Sequence, residues 1–205
     1  MNRLVFSLLL AFSLLLTGCS DDSEETVNNE TGSTQQVVSF DPYTNEFGQF
    51  EVTTKKEQLD IEEKIDDISL TIQSIEQGKV KFSENYASTY NNLADDKGYV
   101  SYIKARMKID APVDELIENI IFYTYQASIQ TNTGYSTQSD STFSDKVSIQ
   151  NNEMMQLEGD IYFILGNQEE LQRVTITVPA PFNKTTNLSL GDNLTFKIDL
   201  TENNE

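Results

Sequence analysis

Histidine is absent from this 205-residue chain, and cysteine occurs once, at Cys19. Without an imidazole there is no Ser-His-Asp or Cys-His nucleophilic system and no histidine-ligated zinc. A single thiol makes no internal disulfide, so no covalent bridge staples the fold. Bases are scarce too, with 14 Lys and Arg against 33 Asp and Glu and a net charge of −19. Nucleic acid, or an anionic lipid surface bound flat, needs clustered Lys and Arg, so this balance argues against both. No Gly-x-Gly-x-x-Gly or Gly-x-x-x-x-Gly-Lys-Ser phosphate loop occurs. Carboxylates are what remains for catalysis, and most of them read as solubilising surface. The expectation is a non-catalytic chain with no cofactor and no metal.

A second long apolar run is also missing; the first lies at the amino terminus. Residues 4–16 are apolar except for Ser7 and Ser13, preceded by Arg3 and followed by small residues. Thirteen residues are too few to cross a hydrocarbon core of roughly 30 Å, which takes about 20. A basic tip, a short apolar run and a small-residue exit make a secretory signal peptide. At its end, Leu16-Thr17-Gly18-Cys19 resembles the lipobox of bacterial prolipoproteins at each position. The resemblance implies a diacylglyceryl thioether on Cys19 and cleavage between Gly18 and Cys19. It also implies a mature chain that hangs from the cell membrane on the extracytoplasmic side. Each buried methylene contributes about 0.8 kcal/mol, so two or more acyl chains anchor stably where one does not. Arg3 leaves with the signal peptide, and the mature net charge becomes 13 − 33 = −20.

Residues 20–39 hold Asp21, Asp22, Glu24, Glu25 and Glu30 among Asn, Ser, Thr and Gln, with no aromatic residue. Such a stretch buries too little apolar area to offset ordering at about 1–2 kcal/mol per residue. It reads as a tether. The expected organisation is a signal peptide at 1–18, a lipidated terminus and acidic linker at 19–45, and one folded domain at 46–205.

Within that domain the dominant period is two, the mark of half-buried strands. Ile103, Ala105, Met107 and Ile109 alternate with Tyr102, Lys104, Arg106 and Lys108. In residues 120–130, Ile121, Tyr123, Tyr125, Ala127 and Ile129 alternate with Phe122, Thr124, Gln126, Ser128 and Gln130. Three further sets follow: Leu157, Gly159, Ile161, Phe163 and Leu165; Val174, Ile176 and Val178; and Leu194, Phe196, Ile198 and Leu200. Ile68, Leu70 and Ile72 mark another strand, Phe50 and Val52 a first one, and Val147 and Ile149 a short edge strand. Turn formers separate them, including Asp95-Asp96-Lys97-Gly98 and Gly191-Asp192-Asn193. Residues 56–68 approach helical spacing but read better as an acidic loop feeding a strand, and Pro112 to Glu118 allows one helical turn after Asp110. The fold class is all-β, an immunoglobulin-like sandwich of about seven or eight strands.

Residues 67–80, 98–109, 120–136, 157–165 and 171–178, in that order behind a lipobox and polar linker, resemble the DUF4352 type of immunoglobulin-like module in Gram-positive lipoproteins. Where such modules carry an Asn and a short polar turn, this chain has Asp110-Ala111-Pro112-Val113-Asp114. The resemblance implies an extracytoplasmic sandwich and supplies no catalytic residues. Asp95 and the segment from Asp140 to Asp145 offer oxygens for calcium, but solvated turns are the preferred reading. The sequons at Asn29, Asn183, Asn187 and Asn193 lose their meaning in a bacterial host. Tyr86, Tyr90, Tyr99 and Tyr102 either form a contact loop or tuck back on the sandwich. The functional expectation is binding of a protein or cell-envelope partner, with small-ligand capture for a transporter as the alternative.

Overall fold

A computed structural model describes residues 40–111, 119–150, 156–168 and 171–201. They fall within one compact unit, Val38–Glu205, and the other unit, Met1–Val37, lies outside the described residues. The fold is an all-β sandwich of antiparallel sheets, as the alternation predicts.

The largest sheet has six strands. In chain order these are β1 (Tyr43–Thr44), β2 (Gly48–Lys56), β3 (Ile61–Ile65), β4 (Ile68–Phe82), β5 (Val100–Asp110) and β10 (Glu158–Gly166). Strand β4 is fifteen residues long and forms its spine. Along one edge it pairs with β3 at its start and β2 at its end; along the other it pairs with β5 throughout. The acidic stretch 61–65 is therefore a strand of a tight hairpin, with Ile61 opposite Ile72 and Ile65 opposite Ile68. Asp66 takes φ +51 in the two-residue turn, a conformation that Asp tolerates better than most residues.

Two four-stranded sheets supply the opposing layer. One runs β14 (Leu194–Asp199), β11 (Arg173–Val178), β7 (Ser128–Thr131) and β8 (Ser136–Gln138). The other runs β13 (Leu188–Ser189), β12 (Phe182–Asn183), β6 (Ile120–Tyr123) and β9 (Ser148–Gln150). The main core lies inside, from Leu70, Ile72, Ile103, Met107, Ile161 and Phe163 on the large sheet to Ile129, Ile176 and Phe196 opposite.

Four points differ from expectation, the first being residues 61–65, expected within an acidic loop and found as strand β3. Fourteen strands are present among the described residues, because several are two or three residues long and carry no readable alternation. Residues 120–130 are two strands, not one: a 3-10 turn at Thr124–Gln126 carries the chain from one sheet to the next. Three turn residues shift the phase, so Phe122 is buried before the turn, Thr124 at its start, and Ala127 and Ile129 after it. A short helix, α1 (Glu84–Tyr90), occupies the tyrosine-rich segment. The helical turn expected at 112–118 lies outside the described residues.

A β-bulge organises the large sheet. The β4–β5 register slips between Ile72 and Ser74, leaving Gln73 as the extra residue. Before it, Ile68, Leu70 and Ile72 face the main core; after it, Ile75 does so and the even positions Glu76, Gly78, Val80 and Phe82 face outward. A one-residue insertion sends every later side chain to the other face. A second core forms there, outside the sandwich, from Phe50, Val80, Tyr90, Val100, Tyr102, Phe143, Tyr162 and Ile164.

Candidate functional site

The two faces of the large sheet each carry a polar constellation at the β2 end, and both follow from the bulge. On the inner face, successive rows across β2, β4, β5 and β10 read Lys56–Ile75–Ala105–Ile161, Thr54–Gln77–Ile103–Phe163 and Glu51–Lys79–Ser101–Gly166. The rows pass from apolar to polar along the strands. The result is a polar shelf that bears two grooves sharing Lys79. The larger, about 710 Å³, is lined by Glu51, Lys79, Asp95, Lys97, Tyr99 and Asn167 among others. The smaller, about 330 Å³, runs past Thr53, Gln77, Ser101 and Gln168 to Leu171.

Shelf groups are held by one another. Tyr99 donates its hydroxyl to Glu51 at 2.7 Å, Lys79 reaches Asp95 at 3.5 Å, and Lys81 lies 5.8 Å from the Tyr99 ring centre. Asp95 also accepts the backbone N–H groups of Lys97 and Tyr99, both at 2.9 Å. The Tyr99 bond first, joined by that of Lys97 and the Lys79 charge, holds its carboxyl below the usual aspartate range against an opposing desolvation. The sequence had offered this turn to calcium. Its oxygens serve the turn instead.

On the outer face, Glu76 sits 5% exposed beneath an aromatic roof. Its Oε1 accepts the hydroxyls of Tyr102 at 2.7 Å and Tyr43 at 3.0 Å, and its Oε2 receives Lys104 Nζ at 2.8 Å. Lys104 lies 5.5 Å from the Tyr43 ring centre and 6.0 Å from that of Tyr162. Burial lowers the Lys104 ammonium's proton affinity, yet the bonded Glu76 carboxylate outweighs it and the net shift is upward. Burial, then the Glu76 charge, pushes the phenols of Tyr102 and Tyr43 above the tyrosine range. Gly78 makes this packing possible: a Cβ there would stand 2.3 Å from the Glu51 carbonyl oxygen and 3.0 Å from the Tyr102 ring.

The second calcium candidate is also consumed by the fold. Asp140 accepts the Tyr90 hydroxyl at 2.6 Å and the Thr142 N–H at 2.8 Å. Asp145 and Ser144 accept the N–H groups of Asp160 and Tyr162, while the Asp140 and Asp145 N–H groups donate to the carbonyls of Tyr162 and Asp160. Residues 140–145 thus cap the outer edge of β10, pinned by Phe143 in the aromatic layer. Among the described residues no group of three or more His, Cys, Asp or Glu is placed to hold a metal. Of the tyrosines, Tyr86 and Tyr90 pack back on Phe47, Phe82 and Phe143, which is the tucked-back reading. The predicted lipidation and cleavage residues, Cys19 and Gly18, lie outside the described residues. Sequence reasoning missed Glu76, Lys104 and Tyr43 as a group. The signal was faint: Glu76 is the single acid of β4 and stands well apart in sequence from both Tyr43 and Lys104.

A search against family models finds no match, and no curated protein matches. Among solved structures, the crystal structure of a functionally unknown protein from Listeria monocytogenes EGD-e is similar. Its TM-score is 0.51 at 14% identity, over 75% of this chain and 89% of that one. The likeness is one of fold. Among the described residues no helix is long and apolar enough to cross a membrane.

Proposed function

We propose that this chain is a membrane-anchored lipoprotein whose β-sandwich works outside the cytoplasm by binding a protein or cell-envelope partner, without catalysis. The observation that carries the reading is Leu16-Thr17-Gly18-Cys19 at the end of a thirteen-residue apolar run and ahead of an acidic linker. Cys19 is the lipid attachment point, and the acidic linker leads from it to the compact unit that begins at Val38. The surface assigned to the partner is the polar shelf, where Glu51, Lys79, Lys97 and Tyr99 line an open groove. Polar groups spread over an open groove suit a macromolecular surface. Small ligands are commonly held in apolar-lined cavities that bury most of their area.

The anchor is tested by metabolic labelling with a radiolabelled fatty acid. Label should appear on the wild-type chain and vanish with Cys19→Ala; label that persists in the variant overturns the lipobox reading. The shelf is tested by Lys79→Glu with Tyr99→Ala, which should abolish retention of the chain by purified envelope while leaving its melting temperature within a few degrees.

A further inference from the structure

Tyr43 reaches the buried Glu76 from β1, which is two residues long and pairs with β2 only through Tyr43 opposite Phe50 and Thr44 opposite Gln49. Its side chain makes the larger attachment. The ring stacks on Phe50 at 4.9 Å with an interplanar angle of 1°, and its hydroxyl supplies one of the two donors on Glu76 Oε1. The socket itself comes from other elements: Phe50 on β2, Glu76 on β4, Tyr102 and Lys104 on β5 and Tyr162 on β10.

The chain is fixed again immediately after this strand. Phe47 packs edge-on against Phe143 at 4.7 Å and its carbonyl accepts the Ser83 N–H, while the Ser83 hydroxyl bonds the Glu46 carbonyl. Between the clamp and the strand stands only the Asn45 turn, whose side-chain oxygen accepts the N–H groups of Phe47 and Gly48. Residues 40–44 therefore form a strap with a hinge at Asn45, and every other wall of the socket belongs to a different element.

We propose that this strap is exchangeable, and that the Glu76 socket accepts Tyr43 from a second copy of this chain. The occupant follows from the chemistry on the page. The socket matches a phenol carried on an extended segment, with a flat aromatic platform, a carboxylate acceptor for the hydroxyl and an ammonium near the ring. The segment shown to satisfy it is the chain's own residues 40–44. Exchange replaces each contact by its identical counterpart, which makes swapping a low-cost route to a dimer. The lipid anchor proposed above would hold strap and socket of neighbouring copies in one plane and raise their effective concentration. The exchange is a property of the sandwich, so it is tested in detergent solution, and its failure leaves the anchor reading standing.

Two measurements decide it, both on the full-length chain carrying Cys19→Ala to remove the native thiol. Thr44 and Gln49 are exposed register partners. Mixing chains bearing Thr44→Cys with chains bearing Gln49→Cys under mild oxidation should give a covalent heterodimer in excess of the one formed by Gln49→Cys with Lys197→Cys. Equal yields overturn exchange. Separately, a fluorescent peptide of residues 40–47 should bind a Tyr43→Ala chain at least about tenfold more tightly than the wild-type sandwich, whose own strap competes. The same peptide with Phe in place of tyrosine should lose that advantage. Equal binding to both chains, or to neither, overturns the proposal.

Discussion

Glu76 and Lys104 show how much a single buried pair constrains its surroundings. A carboxylate 5% exposed is tolerated because three donors converge on it, and removing one leaves the rest of the group uncompensated. Lys104→Met should therefore cost about 3 kcal/mol in a denaturant titration, whereas Glu76→Gln, which keeps an acceptor for both phenols, should cost about 1–2 kcal/mol. The reverse order would show that the ammonium matters less than the carboxylate charge. The same residues set the pH limit of the fold. Lys104, Tyr43, Tyr102, Tyr162 and Tyr90 all have proton affinities raised by the folded state. Each thus contributes stability that is complete below its unfolded pKa, about 10 for tyrosine and 10.4 for lysine, and is lost as pH rises above it. In that range the unfolded chain gives up protons that the native one keeps. The melting temperature should hold to about pH 9 and then fall steeply toward pH 11, with tyrosinate absorbance appearing only as the chain unfolds. A flat profile would mean that these phenols titrate freely in the native state.

At the scale of elements, the loop 140–145 is what keeps β10 from being an open edge. It does so with backbone donors, two side-chain acceptors and one anchor, the Phe143 ring, which touches Phe47, Phe82, Tyr86, Tyr90 and Tyr162. Phe143→Ala should destabilise the chain by about 3–5 kcal/mol by leaving a cavity where those rings meet. It should also loosen the loop and expose an apolar edge, so light scattering at intermediate denaturant should rise above that of the wild type. A drop in stability without association would place the edge protection elsewhere. The strands were legible wherever one face is buried and the other wet, as in β5, β11 and β14. They were misread where the phase changes within a run. The 3-10 turn at Thr124–Gln126 and the bulge at Gln73 add residues without changing composition, so alternation alone does not reveal them. α1 left a fainter trace, since Tyr86 and Tyr90 are four apart behind Ser83 and Glu84, but seven residues hold too few turns for the period to stand out.

Over the whole molecule, the bulge divides the large sheet into two halves that are covered on opposite faces. The first half of β4 is buried inside the sandwich and wet outside, where Arg106 pairs with Glu158 and Asp160 in the open. The second half is roofed by aromatic side chains outside and presents the polar shelf inside. No single-face pattern announces such an arrangement, because it joins residues as distant as Tyr43 and Tyr162. The proposed anchor motif, by contrast, is local, four consecutive residues from Leu16 to Cys19. What unites the molecule is its charge, −19 over 205 residues with a pI near 4.2. At neutral pH that excess repels itself and opposes compaction, whereas the local pairs hold in the other direction. The exposed pairs are worth little, about 0–1 kcal/mol each, and the Glu76 pair is shielded from ions by burial. Repulsion should therefore dominate the response to salt. Raising sodium chloride toward about 0.5 M, where the Debye length falls to a few ångströms, should lift the melting temperature by several degrees and then level off. Chloride is the right anion for this measurement, since sulfate stabilises folded chains by exclusion whatever their charge. The rise should disappear near pH 4.5, where the carboxylates carry much less charge. A fall in melting temperature with salt at pH 7 would show instead that surface pairing around Arg106 outweighs the repulsion.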